Sequence, residues 1–259
     1  MNTTETIYPI LSGKRALVVG VANEHSIAWG CALAFRKLGA EVVLTYLNEK
    51  ALPHVAPLAQ EIDAQLLPLD VTIPGQMEAL FAKVAEGGKL DTMVHSIAFA
   101  PKADLQGGLL DCSLDGFLQA MDISCHSFVR MAKLAVPLMT EGGSMFAMSY
   151  HGAEKVVPNY NVMGPVKAAL EACCRYLAYE LGHRGIRVHA ISPGPLQTRA
   201  ASGLKDFELL LRDAATRAPV GELVDILDVG NTCAYLASQF AHRLTGSTVY
   251  VDGGLNIIA

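Results

Sequence analysis

Short apolar runs alternate with stretches of helical period along most of the chain. Residues 15–20, Arg-Ala-Leu-Val-Val-Gly, form a β-branched run closed by glycine, and that length predicts a buried parallel strand. The next segment, 26–38, sets Ile27, Cys31, Ala34, Phe35 and Leu38 on one side of a helix, with Gly39 as its stop. Further strands are predicted over 41–46, 65–69, 90–96, 144–149, 185–191 and 247–251. Helices are predicted over 50–62 (broken early by Pro53 and Pro57), 75–85, 113–132, 133–140 and 159–181, the last ended by Gly182. Strands separated by helices imply right-handed crossovers and a seven-stranded parallel sheet covered on both faces. The expected fold class is α/β, a single doubly wound, Rossmann-type domain over residues 1–259, since no linker, repeat or low-complexity stretch interrupts the pattern.

Composition narrows the function. With 51% hydrophobic and 17% charged residues the chain is neither disordered, collagenous nor a coiled coil. The longest stretch free of Asp, Glu, Lys and Arg is 14 residues, Val229 to His242, short of the roughly 18 of a membrane span. The opening residues show no basic leader and no apolar signal core, so the expected location is cytoplasmic, with no membrane partner. A net charge of −5 without a basic run argues against a nucleic-acid partner. Six cysteines lack CxxC or zinc spacing and eight histidines lack an HExxH pair, so buried reduced thiols and no metal are expected.

Ligands of such sheets bind beyond the carboxyl ends of the strands. After the first strand, Gly20 permits a sharp turn, Ala22 lets backbone approach a ligand, and Ser26 sits at a helix N-cap. A helix N-terminus is a natural pyrophosphate seat, although the spacing is not GxGxxG and a plain βα turn competes. Leu47 ends the second strand where an acid would select NAD and an arginine NADP, while Glu49 and Lys50 point to opposite answers. Asp70 has two readings, a contact to an adenine amino group or a cap for the segment after Pro74. His95-Ser96-Ile97-Ala98 offers the small residues expected beside a cofactor ribose.

The most informative grouping is Ser149-Tyr150 followed by Tyr160 and Lys167, the last two seven apart on the predicted helix. Seven steps of 100° return to within about 20° of the starting direction and rise about 10.5 Å, so both side chains would leave one helix face. A lysine on ribose hydroxyls beside a phenol aimed at a carbonyl makes a proton donor, its pKa lowered by the neighbouring ammonium. An ordinary amphipathic helix is the competing reading.

At these residues the chain resembles the short-chain dehydrogenase/reductase superfamily and, within it, the NADH-dependent enoyl-acyl carrier protein reductases of bacterial fatty-acid synthesis. Most of the superfamily carries Tyr-x-x-x-Lys, but Met163 stands four before Lys167; the enoyl reductases carry Tyr-x6-Lys with a second tyrosine ten residues earlier, which Tyr150, Tyr160 and Lys167 match. The stretches 158–164, 95–101 and 200–207, the Gly20 turn with Ser26-Ile27-Ala28, and Val251-Asp-Gly-Gly254 resemble the same family.

The resemblance implies hydride transfer from NADH to the β-carbon of a trans-2-enoyl thioester carried on acyl carrier protein or coenzyme A, with NADPH a poorer donor. It implies cofactor contacts from Gly20, Ser26, Ile27, Leu47, Asp70, Val71, Ile97 and Lys167, with Leu196, Gln197, Thr198, Arg199 and Ala200 closing over the nicotinamide and pyrophosphate. Ala100, Tyr150, Tyr160, Met163 and Phe207 would face the substrate, the last from a loop and helix at about 192–215. Tyr160 would hold the developing enolate oxygen, Lys167 would add positive charge, and Tyr150 would position the thioester or relay a proton. The chain departs from the family where Leu47 replaces glutamine, where Glu208 and Leu209 replace bases, and at Pro193 in place of alanine. The resemblance implies a homotetramer, since the family's long helices pair across two-fold axes; the sequence hint is that 114–131 and 168–181 carry more apolar and small residues than one sheet-facing stripe requires. Two alternatives stand beside this reading: another short-chain reductase acting on ketones or enoyl-coenzyme A, and a non-catalytic NAD(H)-sensing protein.

Overall fold

The computed structural model of the protein describes residues 8–198 and 207–258, without the side chains of Phe207, Glu208 and Leu210. The strands are β1 (Arg15–Val19), β2 (Glu41–Tyr46), β3 (Gln65–Pro68), β4 (Thr92–His95), β5 (Gly143–Met148), β6 (Ile186–Pro193) and β7 (Thr248–Val251). All neighbours pair in parallel, in the order β3-β2-β1-β4-β5-β6-β7. The β1 residues are buried throughout, because helices cover both faces. Alternation then divides their side chains: Leu17 and Val19 join one core, Ala16 and Val18 the other.

One layer is built from α1 (Ile27–Lys37), α2 (Leu52–Glu61) and a helix over Ile226–Ala237. The opposite layer holds α3 (Gln76–Glu86), α5 (Leu114–Met121), α6 (Ser127–Ala135) and α7 (Met163–Leu181), with a short α4 (Lys102–Gln106) preceding α5. The remaining described helices are α8 (Phe207–Arg217) and α9, the Ile226–Ala237 helix just named.

Several boundaries differ from the sequence reading, each for a local reason. Pro53 does not break α2 but sits in its first turn, where a missing N–H costs nothing. The expected continuous helix over 113–132 divides at a π turn, Asp122–His126. The α9 helix was absent from the expectation. Asp225 caps it, accepting from Leu227 and Asp228 N–H at 2.7 and 2.9 Å. It crosses α1 so closely that a Cβ on Gly30 would lie 2.0 Å from the Ile226 carbonyl, and one on Gly230 2.2 Å from the Gly30 carbonyl. Of the six cysteines, all free thiols, Cys31, Cys125, Cys174 and Cys233 are buried while Cys112 and Cys173 are half-buried. Among the described residues no helix is long and apolar enough to cross a membrane, and no cluster of His, Cys, Asp and Glu is arranged for a metal.

Candidate active site

The strand order reverses between β1 and β4, and a cavity of about 640 Å³ opens beyond their carboxyl ends. Gly20 makes this junction at φ +108°, and a Cβ there would lie 2.1 Å from the Ser96 carbonyl, so only glycine lets the two strand ends run side by side. Ser26 is the N-cap of α1, but its Oγ turns back to accept from the Ala22 and Asn23 N–H groups at 3.0 and 3.1 Å. The hydroxyl therefore fixes the preceding turn and leaves the helix end open. The Ile27 and Ala28 N–H groups have no acceptor among the described residues, and both point from the positive end of α1.

Tyr150, Tyr160, Met163 and Lys167 line one wall of the cavity. They meet there by a different route from the one expected. Residue 163, not 159, begins α7, so Tyr160 is not on the helix, and the same-face argument for Tyr160 and Lys167 does not hold. Pro165, third in the helix, fits only in a first turn, and before it Asn159 and Asn161 adopt φ of +64° and +44°. That turn lays the Tyr160 ring on Gly152, where a Cβ would come within 2.5 Å of the ring. The Tyr150 ring meets it edge-on at 5.0 Å between centroids. The Tyr150 hydroxyl is buried with no partner among the described residues.

Lys167 is buried, its Nζ donating to the Met148 carbonyl at 2.6 Å. An ammonium has two further donors, and no described residue takes them. Burial lowers the Lys167 pKa to about 8, against the opposing pull of Cys125, Cys174 and Glu171. Burial raises the Tyr160 pKa, and Tyr150 and Glu171 push it the same way. The expected lowering by Lys167 is thus reversed: Tyr160 is a neutral hydroxyl, a hydrogen-bond donor, throughout the physiological range.

The far wall comes from the loop after β4 and from α4. Ser124, in the π turn, both donates to the Phe99 carbonyl at 3.0 Å and accepts its N–H at 2.9 Å. Ser127 gives its proton to the Ile123 carbonyl at 2.7 Å, so His95 Nε2 is the donor to Ser127 Oγ at 2.7 Å. Burial holds that imidazole neutral, its pKa lowered to about 3. Asn161 Nδ2 donates to the Leu105 carbonyl at 2.8 Å, tying the Tyr160 turn to α4.

Of the residues expected to contact ligands, Gly20, Ser26, Ile27, Ile97, Ala100, Leu196 and Thr198 also border the cavity. Leu47, Asp70, Val71 and Gln197 do not. Leu47 stands 53% exposed after β2, and Val71 is buried. One oxygen of the Asp70 carboxylate, Oδ1, accepts from the Thr72 N–H and hydroxyl at 2.9 and 2.6 Å; the expected cap after Pro74 is not formed by Asp70, since Gly75 is the N-cap of α3 and no side chain caps it. Arg199 and Ala200 lie outside the described residues, as does the Phe207 side chain. Sequence reasoning missed Lys102, Leu105 and Gln106, which border the cavity from α4. It also missed Glu171, buried one turn beyond Lys167; the spacing of four was the available signal.

A ligand cavity at the switch point of a doubly wound parallel sheet, closed by a glycine turn and an open helix N-terminus, defines the dinucleotide-binding α/β class. A family model described as Enoyl-(Acyl carrier protein) reductase matches residues 20–256. Enoyl-acyl-carrier-protein reductase (NADH) 1 of Rhizobium meliloti is 47% identical over 251 residues, 96% of this chain and 92% of the relative. The crystal structure of the Anaplasma phagocytophilum reductase in complex with NAD superposes with a TM-score of 0.93 at 46% identity, covering 96% of each chain. The Bacillus cereus enoyl-acyl carrier protein reductase, solved with NADP+ and indole naphthyridinone, gives 0.94 at 42% identity, over 96% of this chain and 99% of its own. The chain belongs to the enoyl-acyl carrier protein reductase family.

Proposed function

We propose that the chain reduces the carbon–carbon double bond of trans-2-enoyl thioesters with NADH. The observation that carries this is the Tyr150–Tyr160–Lys167 wall facing the same cavity as the Gly20 turn and the open end of α1. The residues fit a nicotinamide dinucleotide: the Ile27 and Ala28 N–H groups, without an acceptor among the described residues, suit a pyrophosphate, and the Lys167 donors that no described residue takes suit ribose hydroxyls. Bound there, NADH supplies the hydride. The Tyr160 hydroxyl would donate a hydrogen bond to the thioester carbonyl oxygen, which becomes negative as the β-carbon is reduced, and a proton from water would then complete the α-carbon. Stabilising charge that appears only in the transition state lowers the barrier. Lys167, charged below a pH of about 8, adds to that stabilisation. The buried Tyr150 hydroxyl, without a partner among the described residues, orients the thioester. Pro193, Gly194, Pro195, Leu196 and Thr198 border the cavity from the end of β6 and the residues after it.

The acyl group is carried on acyl carrier protein, with coenzyme A thioesters also accepted. Leu209, Arg212 and Arg217 are exposed on α8, and with Arg217 paired to Asp213 at 3.0 Å the helix gives only modest attraction to an acidic carrier. NADH is preferred over NADPH by about one or two powers of ten, because exposed Leu47 neither repels nor pairs with a 2′-phosphate. The protein works in the cytoplasm as a homotetramer, a state supported by exposed Leu114 and Leu118 on α5 and Tyr176 and Tyr179 on α7. Crotonyl-dependent oxidation of NADH and NADPH, with carrier-protein and coenzyme A thioesters in parallel and at rising salt, tests this. Turnover with NADH and a shallow salt dependence are expected; ketone reduction without enoyl reduction would overturn the reading.

A further inference from the structure

Two consecutive residues at the end of β5 are held by two residues one turn apart on α7. Lys167 bonds the Met148 carbonyl at 2.6 Å, and the Ser149 hydroxyl donates to Glu171 Oε1 at 2.5 Å. The next residue in the chain is Tyr150. The other Glu171 oxygen accepts from Thr248 Oγ1 of β7 at 3.2 Å, so one carboxylate joins α7, β5 and β7. Glu171 is only 4% exposed and takes part in no ion pair among the described residues. A carboxylate buried against two hydroxyls costs stability relative to an apolar side chain.

We propose that Glu171 is a positioning residue for the reaction: it fixes the strand end that carries Tyr150 and holds Lys167 as a cation. This rests on the reading of Lys167 given above.

The surroundings support the second role. Lys167 faces Cys125 of the π turn, Cys174 and Glu171 of its own helix, and His95 of β4. His95 is kept neutral by burial. Cys125 is pushed up by its bond to Cys173 and by burial, and Cys174 by burial, so of the groups that face the lysine Glu171 is the carboxylate. Glu171 in turn faces Ser149 of β5, Thr248 and Tyr250 of β7, Tyr160, Cys174, Arg175 and Glu154. Burial raises its pKa, while the two hydroxyl donors favour the ionised form.

NADH binding to the ligand-free protein, followed by nucleotide fluorescence from about pH 6 to about pH 10, tests the proposal. In the wild type, binding weakens as Lys167 loses its proton, and Lys167→Ala abolishes that midpoint. Glu171→Gln keeps partners for both hydroxyls but removes the charge, and should move the midpoint down by at least about half a pH unit. Ser149→Ala cuts the strand tether and leaves the charge, so the midpoint should stay while kcat on crotonyl thioester falls about tenfold. An unmoved midpoint in a folded Glu171→Gln, or an unchanged kcat in Ser149→Ala, overturns the proposal. If Glu171→Gln fails to fold, the Ser149→Ala result decides. A wild-type midpoint that survives Lys167→Ala would instead count against the Lys167 assignment itself.

Discussion

Burial acts on Tyr160 and Lys167 in opposite chemical directions, keeping the phenol protonated and easing the lysine toward neutrality at about pH 8. At neutral pH the pair is therefore one neutral donor and one cation, each suited to a different contact. Tyr160→Phe keeps the ring that packs on Gly152 and Tyr150 but removes the donor. Turnover should fall about 100- to 1000-fold, or about 2.7–4 kcal/mol of barrier, with NADH affinity nearly unchanged in a fluorescence titration. Lys167→Ala should weaken NADH binding together with the rate, because it removes both a ribose contact and the charge. If Tyr160→Phe kept full activity, Tyr150 would become the donor to test.

At the scale of elements, the α1–α9 crossing constrains the cofactor end of the cavity, since α1 presents its N-terminus there. Gly230→Ala puts a methyl 2.2 Å from the Gly30 carbonyl, and the helices must separate. The expected cost is about 1–3 kcal/mol or more, read as a lower Tm, with weaker NADH binding because α1 shifts. An unchanged Tm would show that the crossing relaxes freely.

How much of this was legible varies by element. The strands could be read because buried parallel β-structure leaves an unbroken apolar run such as Ala16 to Val19, closed here by Gly20. The α9 helix was not, because Gly230, Asn231 and Thr232 blur its apolar stripe, although the Asp225/Asp228 capping box announced its start. The start of α7 was misplaced because periodicity alone carried it back through Tyr160. Pro165 and two left-handed asparagines, a covalent and a conformational limit, overrule periodicity there. Tyr150, Tyr160 and Lys167 were still found, because their spacing is a family pattern. The contribution of α4 depends on a loop folding back, which no local pattern encodes.

For the whole molecule, the sheet buries its strands between two cores and brings the first and fourth strand ends together over one cavity. The exposed apolar residues of α5 and α7 lie on the layer that carries Lys167, so assembly would brace the catalytic wall from outside. Sedimentation should find a tetramer at micromolar concentration; a stable monomer would contradict this. The central claim, that this cavity directs a hydride to the β-carbon of an enoyl thioester, is tested most directly by the fate of a label. NADH carrying deuterium on the transferred position of nicotinamide C4, turned over with crotonyl thioester, should give butyryl thioester with deuterium at C3 and none on the carbonyl carbon. Deuterium on a carbinol carbon, or unlabelled product, would contradict the account.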